Sequence, residues 1–298
     1  MSITFPTGSQ KVPSGITALP SGVKRPAFGT LHGFDAQQGG SAGPASNDLA
    51  YPGGLETSSN YTISTNPVFH FDASLMNGAD ATGNPSDTAS VTSWTSRINS
   101  YAFDQTTAAR IPTYKASTSN LGSSGKPTIL FDGGDQLDST GAAPETMAQP
   151  MTITIANYLD TVGNARVMFG PGGWGFYEYS AISTYYTFNA GAGRKTDGSP
   201  SLTVSTGVRL LTWELNGASS YLYHGLNRYP FNGDIGSGTF NATFLLGGNN
   251  GYWQPPGSEI AEVICWNGTL SSTVSSDVVT GGEIKTVVDY LTNKYEVT

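Results

Sequence analysis

From residue 67 onward the apolar positions fall into short runs rich in β-branched and aromatic side chains, most of them bounded by Gly, Pro, Asn, Asp or Ser. Runs of this kind predict strands. They are PVFHFD (67–72), PTILFD (127–132), MTITIANY (151–158), RVMFG (166–170), WGFYEYS (174–180), VRLLTWEL (208–215), SSYLYHG (219–225), ATFLLGG (242–248) and SEIAEVICWN (258–267). Met151, Ile153 and Ile155 alternate with Thr152, Thr154 and Ala156, the period-two signature of a half-buried strand. Asn216-Gly217 between two runs predicts a tight type I′ hairpin, because that turn needs positive φ at both central positions. Near the C-terminus the period changes. Ile284, Val287, Val288, Leu291 and Tyr295 share one helical face, and Thr280 with Glu283 three residues later fits a capping box. The expectation is a helix of two to four turns over one edge of a β-sandwich.

Residues 1–66 have no such period. Prolines recur at 6, 13, 20, 26, 44 and 52, and the apolar residues are isolated singles. The segment has too little clustered apolar surface to offset its ordering entropy alone. Its spaced Ile3, Phe5, Ile16, Leu19, Phe28, Leu31 and Phe34 suit docking into pockets on a neighbouring subunit. The division read from sequence is therefore an extended N-terminal arm, 1–66, and a body, 67–298.

Composition narrows the function classes. The 298 residues include 38 glycines and only 12% charged residues, which favours a turn-rich β protein over a helical bundle. The net charge is −8, which argues against binding nucleic acid or anionic lipid through charge alone. The arm is neutral, with Lys11, Lys24 and Arg25 against Asp35, Asp48 and Glu56, so the body carries the whole excess. A single cysteine, Cys265, excludes an internal disulfide and the common cysteine-based zinc sites. Flanked by Ile264 and Trp266, it reads as a small buried hydrophobe. The N-terminus shows no secretory signal, and no apolar run is long enough for a membrane helix, so the chain reads as made in a cytoplasm.

Four ordered stretches resemble concanavalin A-like, laminin-G-type jelly-roll domains of bacteriophage virion and bacterial surface proteins. VFHFDAS (68–74) is similar to that family's opening strand. SVTSWTSRINSYAFDQTTAARIPTY (90–114), GKPTILFDGGDQLDS (125–139) and EIAEVICWNGTLS (259–271) with YLTNKY (290–295) resemble its later segments. The family's Asp-x-Ser-Gly-Asn-Gly loop is replaced by Thr95-Ser96-Arg97-Ile98-Asn99-Ser100, so no role of that loop carries over. The resemblance implies an all-β jelly-roll sandwich with a short C-terminal helix behind the arm, and rim loops that serve recognition in relatives.

Candidate chemistry is sparse. A glycosidase needs two carboxylates facing one cleft. Glu259 and Glu262 have opposite parity, and an unbulged strand points them to opposite faces. His32, His70 and His224 share no spacing with each other or with carboxylates that suggests a metal or a catalytic triad. Asp132, Asp135 and Asp138 around Gly133-Gly134 are weak calcium candidates, with a structural turn as the alternative; no other cofactor is implied. The loop GGNNGYWQPPG brings Tyr252 and Trp253 together with Asn249, Asn250 and Gln254. Flat rings for sugar C–H faces beside amides for hydroxyls equip a glycan site.

The sequence therefore reads as a non-enzymatic bacteriophage virion protein, a capsid decoration or tail adhesion component, made in the host cytoplasm. Its arm would contact other capsid or tail subunits, its lectin-like head would bind host surface glycans, and copies would associate as a homo-oligomer. The alternatives are a polysaccharide-active glycoside hydrolase and a free carbohydrate-binding module.

Overall fold

The computed structural model describes residues 46–52, 59–99, 101–122, 125–139, 147–162, 165–169, 175–178, 186–189, 194–196, 202–203, 205–237, 239–240, 244–249 and 252–297. The arm anchors Ile3, Phe5, Ile16, Leu19, Phe28, Leu31 and Phe34 lie outside these residues. The β-sandwich read from the sequence is observed. Among the described residues, one sheet has ten strands and a second has eight.

The centre of the large sheet is the strand Met151–Leu159, paired antiparallel with Gly207–Leu215 on one side and Ser258–Trp266 on the other. Beyond Gly207–Leu215 lie Tyr221–His224 and Asn227–Pro230. The far side of Ser258–Trp266 is shared: Phe69–Asp72 pairs with residues 262–265 and Thr128–Phe131 with residues 258–260. The Asn216-Gly217 dipeptide does join a hairpin, but not by a two-residue turn. Gly217–Ser219 forms a short 3₁₀ turn there, with Gly217 at φ +54° and Asn216 at φ −150°, so only one of the two positions is left-handed.

Both faces of the large sheet are covered. Ile153, Ile155, Leu211, Trp213 and Val263 meet Trp94, Phe103, Leu137 and Leu246 of the small sheet in the intersheet core. On the opposite face Ala156, Leu210, Ile264 and Trp266 pack against Ile284, Val287, Val288, Leu291 and Tyr295 of the helix α1, Glu283–Tyr295. All nine residues of Ser258–Trp266 are accordingly buried. Thr152 and Thr154 are also buried, so the alternation at 151–156 marks two buried faces of different polarity rather than one wet face. Thr154 and Thr212 hydroxyls pair at 2.8 Å, and Thr152 donates to the Gly268 carbonyl, which satisfies these hydroxyls on the helix side. The helix lies on this face, not on a sandwich edge.

The predicted capping box is absent. Thr280 Oγ1 donates to Thr273 O, and Gly282, at φ +86°, caps α1 without a side chain. A Cβ on Gly282 would lie 2.5 Å from Ser271 O, so this entry turn requires glycine. Glu283 works outward instead. Its Oε1 accepts from the backbone and hydroxyls of Ser64 and Thr65, and its Oε2 from Ser271. Partial burial opposes its charge, but these hydrogen bonds outweigh it and bring the carboxyl down to about 2. A carboxylate in the first turn also complements the helix dipole.

The compact unit that holds the sandwich begins at Ala45. Within the stretch read as arm, Ser46–Ala50 and Ser59–Thr62 pair as parallel strands, and Leu49, Tyr51 and Ile63 are buried against the α1 layer. These residues of the 1–66 stretch thus belong to the body, and isolated apolar singles sufficed because the receiving surface comes from the helix. No helix among the described residues is long and apolar enough to cross a membrane. A chain beginning at residue 67 is expected to melt well below one beginning at residue 45, since it loses three buried apolar side chains and the bonds to Glu283. Thermal denaturation of the two truncations checks this, and equal midpoints would refute it.

Candidate functional sites: a buried ion network and a loop rim

Phe69–Asp72 sends Phe69 and Phe71 into the intersheet core, so period two sends His70 and Asp72 toward α1. There they meet Glu262, Arg97, Asp48 and Lys294. Lys294 Nζ lies 2.7 Å from Asp72 Oδ2, 2.8 Å from Glu262 Oε2 and 2.9 Å from the Tyr290 hydroxyl, which uses its three protons. Arg97 forks onto Asp48 at 2.6 and 3.0 Å and reaches Asp72 at 3.5 Å. The Tyr295 hydroxyl donates to Glu262 Oε2 at 2.8 Å and that of Tyr290 to Oε1 at 2.9 Å. His70 Nε2 stands 2.5 Å from Glu262 Oε1, and Nδ1 faces the Tyr51 hydroxyl at 3.0 Å. A neutral imidazole protonated on Nε2 satisfies both contacts.

The electrostatics follow from burial opposed by pairing. Burial opposes the Glu262 charge, but Lys294 and the His70 hydrogen bond overcome it and hold the carboxyl at about 2. Lys294 and Arg97 are pushed above their ordinary ranges by their carboxylate partners despite burial. Burial and the Arg97 charge lower His70, and burial raises Tyr290 and Tyr295.

His70, Asp72 and Glu262 bring three ligand atoms within 4.8 Å of one another, the one such group among the described residues. The donor set does not fit a metal ion, because the Lys294 ammonium already sits between Asp72 and Glu262. A cleft of about 450 Å³ opens beside the network, lined in part by Asp48, Asp72, Ser74, Lys126 and Asn293.

The parity expectation for Glu259 and Glu262 is overturned. Ala156 pairs with Glu262 but the next residue, Asn157, pairs with Ile260, so Ala261 is an extra residue in the strand. The bulge reverses the alternation: Ile260 and Val263 both enter the intersheet core, and both glutamates point toward the helix side. They form no cleft pair there, since Glu259 is buried and bonded to Thr118, Asn120 and Thr128. Cys265 is buried, its thiol pushed well up by that burial.

Two segments read separately in the sequence meet at one rim. Asp132 and Asp135 build a turn: Asp132 N–H donates to Asp135 Oδ2 at 2.7 Å, and Gly134 N–H to Asp132 Oδ1 at 2.8 Å. Asp138 accepts from the Gln136 side chain and sits in the small sheet opposite Leu245. The three carboxylates do not converge as a calcium set and instead serve the turn and strand. Burial, with the neighbouring Asp132, raises Asp135 to about 6, and burial raises Asp138. Against this turn lies the hairpin pairing Gly248 with Trp253 and Asn249 with Tyr252. A Cβ on Gly247, at φ +93°, would meet Phe131 at 2.2 Å and Asp135 O at 3.0 Å, so glycine permits this approach. Gln254 N–H donates to Gly247 O at 2.6 Å, while its buried side-chain amide has no hydrogen-bond partner. Asn250 and the side chains of Asn249, Tyr252 and Trp253 lie outside the described residues.

No protein-family model and no curated protein matches this chain. Among solved structures, it is similar to domain 4 of the extracellular GH43 arabinanase AbnA from Geobacillus stearothermophilus, in complex with arabinotriose, at 14% identity and a TM-score of 0.47, over 77% of this chain and 100% of that one. It is similar to Trypanosoma rangeli sialidase in complex with the inhibitor DANA at 12% identity and a TM-score of 0.40, over 68% of this chain and 31% of the sialidase. The heptameric SAP-like pentraxin of Limulus polyphemus gives 12% identity and a TM-score of 0.38, over 48% of this chain and 77% of that one.

Lys294→Met leaves Asp72 and Glu262 without their shared cation and is expected to cost about 3–5 kcal/mol, the penalty for breaking a buried pair. Urea denaturation measures it, and a loss under about 1 kcal/mol would contradict the network's weight. The pH profile has a defined sign. Glu262 and Glu283, both near 2 in the fold against 4.5 ordinarily, contribute stability above 4.5 that is lost as pH falls toward 2. His70, lowered below 6.5, adds a loss as pH falls below that value. Asp135, raised from 3.8 to about 6, opposes both by favouring the fold as pH drops through that interval. Asp135→Asn should therefore steepen the fall in melting temperature between pH 6 and 4, and an unchanged slope would count against the assignment.

Proposed function

We propose that the protein is a non-enzymatic, lectin-like module that recognises glycans at the rim where the 132–138 turn meets the 248–254 hairpin. The observation that carries this reading is that juncture: an acidic turn, a hairpin bearing Tyr252 and Trp253, and the buried, unpartnered amide of Gln254 lie together. Carboxylates and amides pair with sugar hydroxyls, and aromatic rings take the C–H faces.

The glycoside hydrolase alternative has one observation in its favour, the raised Asp135 beside Asp132, since a general acid needs a raised pKa. Those two groups share a turn and hydrogen-bond within it, whereas a hydrolytic pair flanks a sugar about 5–9 Å apart. Glu262 is held ionised by Lys294 and cannot serve as an acid near neutral pH.

The wider setting we propose is a bacteriophage virion, as a capsid decoration or tail adhesion component, with residues 1–44 docking on other capsid or tail subunits and copies forming a homo-oligomer. Its support is the resemblance of the four sequence stretches and the spaced apolar anchors of the arm. Many copies on one particle would give avidity from weak single sites. Mass spectrometry of purified particles tests the setting, and consistent absence of the chain would end it.

Trp253→Ala is expected to weaken glycan-array and host-cell binding on the order of tenfold, about the 1.4 kcal/mol that a stacked ring contributes. Its melting temperature should stay close to that of the parent. Loss of folding, or unchanged binding, would remove the hairpin as the recognition element.

A further inference from the structure

Asparagine followed by glycine is prone to lose its own side-chain amide. The glycine backbone nitrogen attacks the asparagine Cγ, and glycine places no side chain in the way. The chain holds five such dipeptides: Asn77-Gly78, Asn216-Gly217, Asn232-Gly233, Asn250-Gly251 and Asn267-Gly268. The structure describes all of them but Asn250-Gly251. In each of these four the asparagine is exposed, so access of water does not separate them.

The glycine N–H does. The nitrogen attacks only after giving up its proton, and an N–H that donates a hydrogen bond keeps its proton and its direction. Gly78 N–H donates to Leu75 O at 2.8 Å, Gly217 N–H to Gln149 Oε1 at 2.8 Å and Gly233 N–H to Phe231 O at 2.9 Å. Asn77 is held a second time, because its Oδ1 accepts from the N–H groups of Ala79 and Asp80 and its Nδ2 donates to Asp80. Gly268 differs. Pairing of Ser258–Trp266 with its neighbours stops at Trp266 on one side and Cys265 on the other, so the ladder does not reach Gly268. Among the described residues the Gly268 N–H donates to no acceptor, and the Asn267 side chain has no hydrogen bond. A Cβ on Gly268 would meet nothing within 4 Å, which leaves room for a ring to close there.

We propose that Asn267 is a site of spontaneous deamidation in the folded chain. Gly268 N bonds to Asn267 Cγ as the Cγ–Nδ2 bond breaks; the Gly268 proton leaves with the amide as ammonia, and a succinimide remains. Water then opens the ring at either carbonyl. One opening gives aspartate at 267. The other gives isoaspartate, which routes the main chain through the side-chain carbon and lengthens it. The lengthened link lies between Trp266 and Leu270, both buried in the layer that α1 covers.

The test incubates the full chain at mildly alkaline pH, folded and in urea. Mass spectrometry follows each Asn-Gly peptide, and enzymatic methylation scores isoaspartate. In the folded chain Asn267 should convert roughly fivefold faster than Asn77, Asn216 and Asn232, the factor that one hydrogen bond confers. In urea, where the fold holds no N–H, that lead should vanish. Gln149→Ala removes the acceptor of Gly217 N–H and should raise the Asn216 rate toward that of Asn267, with the Asn77 and Asn267 rates unchanged. Equal rates in the folded chain, a lead that survives urea, or an Asn216 rate unmoved by Gln149→Ala overturns the inference.

Discussion

Burying the Lys294 ammonium under α1 is the constraint around which the body is arranged. A cation drawn largely out of water, as Lys294 is at the edge of the cleft, must find enough anionic and dipolar partners to replace its lost hydration, or the helix cannot seat. The partners come from everywhere in the chain: Asp72 from the strand Phe69–Asp72, Glu262 from a bulged central strand, Tyr290 from the helix itself. Arg97 and Asp48 extend the set to residues 96–99 and the segment before residue 52. Each group fixes the position of the next. The three tyrosines supply hydroxyls where full charges would repel, and His70 fills the last acceptor site without adding a charge.

That arrangement explains where recognition is possible. With α1 and the network on one face and the small sheet on the other, the central strands offer no broad solvent-facing surface. The open parts of the sheet are its strand ends, where the 132–138 turn meets the hairpin of Gly248–Asn249 and Tyr252–Trp253. Polar side chains near those ends, Gln254 among them, need not satisfy the packing rules of the middle. The stable network and the permissive rim lie in the same sheet but answer to different physics.

Much of the fold was legible because long strands carry strong periods. The runs at 151–158, 208–215 and 258–267 correspond to Met151–Leu159, Gly207–Leu215 and Ser258–Trp266. Strands of three residues, such as Ser93–Thr95 and Thr113–Lys115, hold too few positions for a period to show. The network was not legible, since its contacts join residues as far apart as Asp48 and Tyr290. One signal did point to it. His70, Asp72 and Glu262 are polar residues inside otherwise apolar strands. The apposition of the Asp132 turn and the Trp253 hairpin was equally hidden, because it depends on Gly247 having no side chain.

The bulge at Ala261 carries a consequence for comparing this chain with others. A strand is read in pairs of residues, one to each side, and an extra residue shifts the reading frame. Ser258–Ile260 and Glu262–Trp266 therefore occupy different frames of the same strand. A related chain without the bulge would align correctly only with a one-residue gap in the middle of a buried strand, where alignments most resist gaps. Without that gap, Glu259 would be matched to a core-facing position and Ile260 to a helix-facing one, and distant kinship would be scored as chemical conflict.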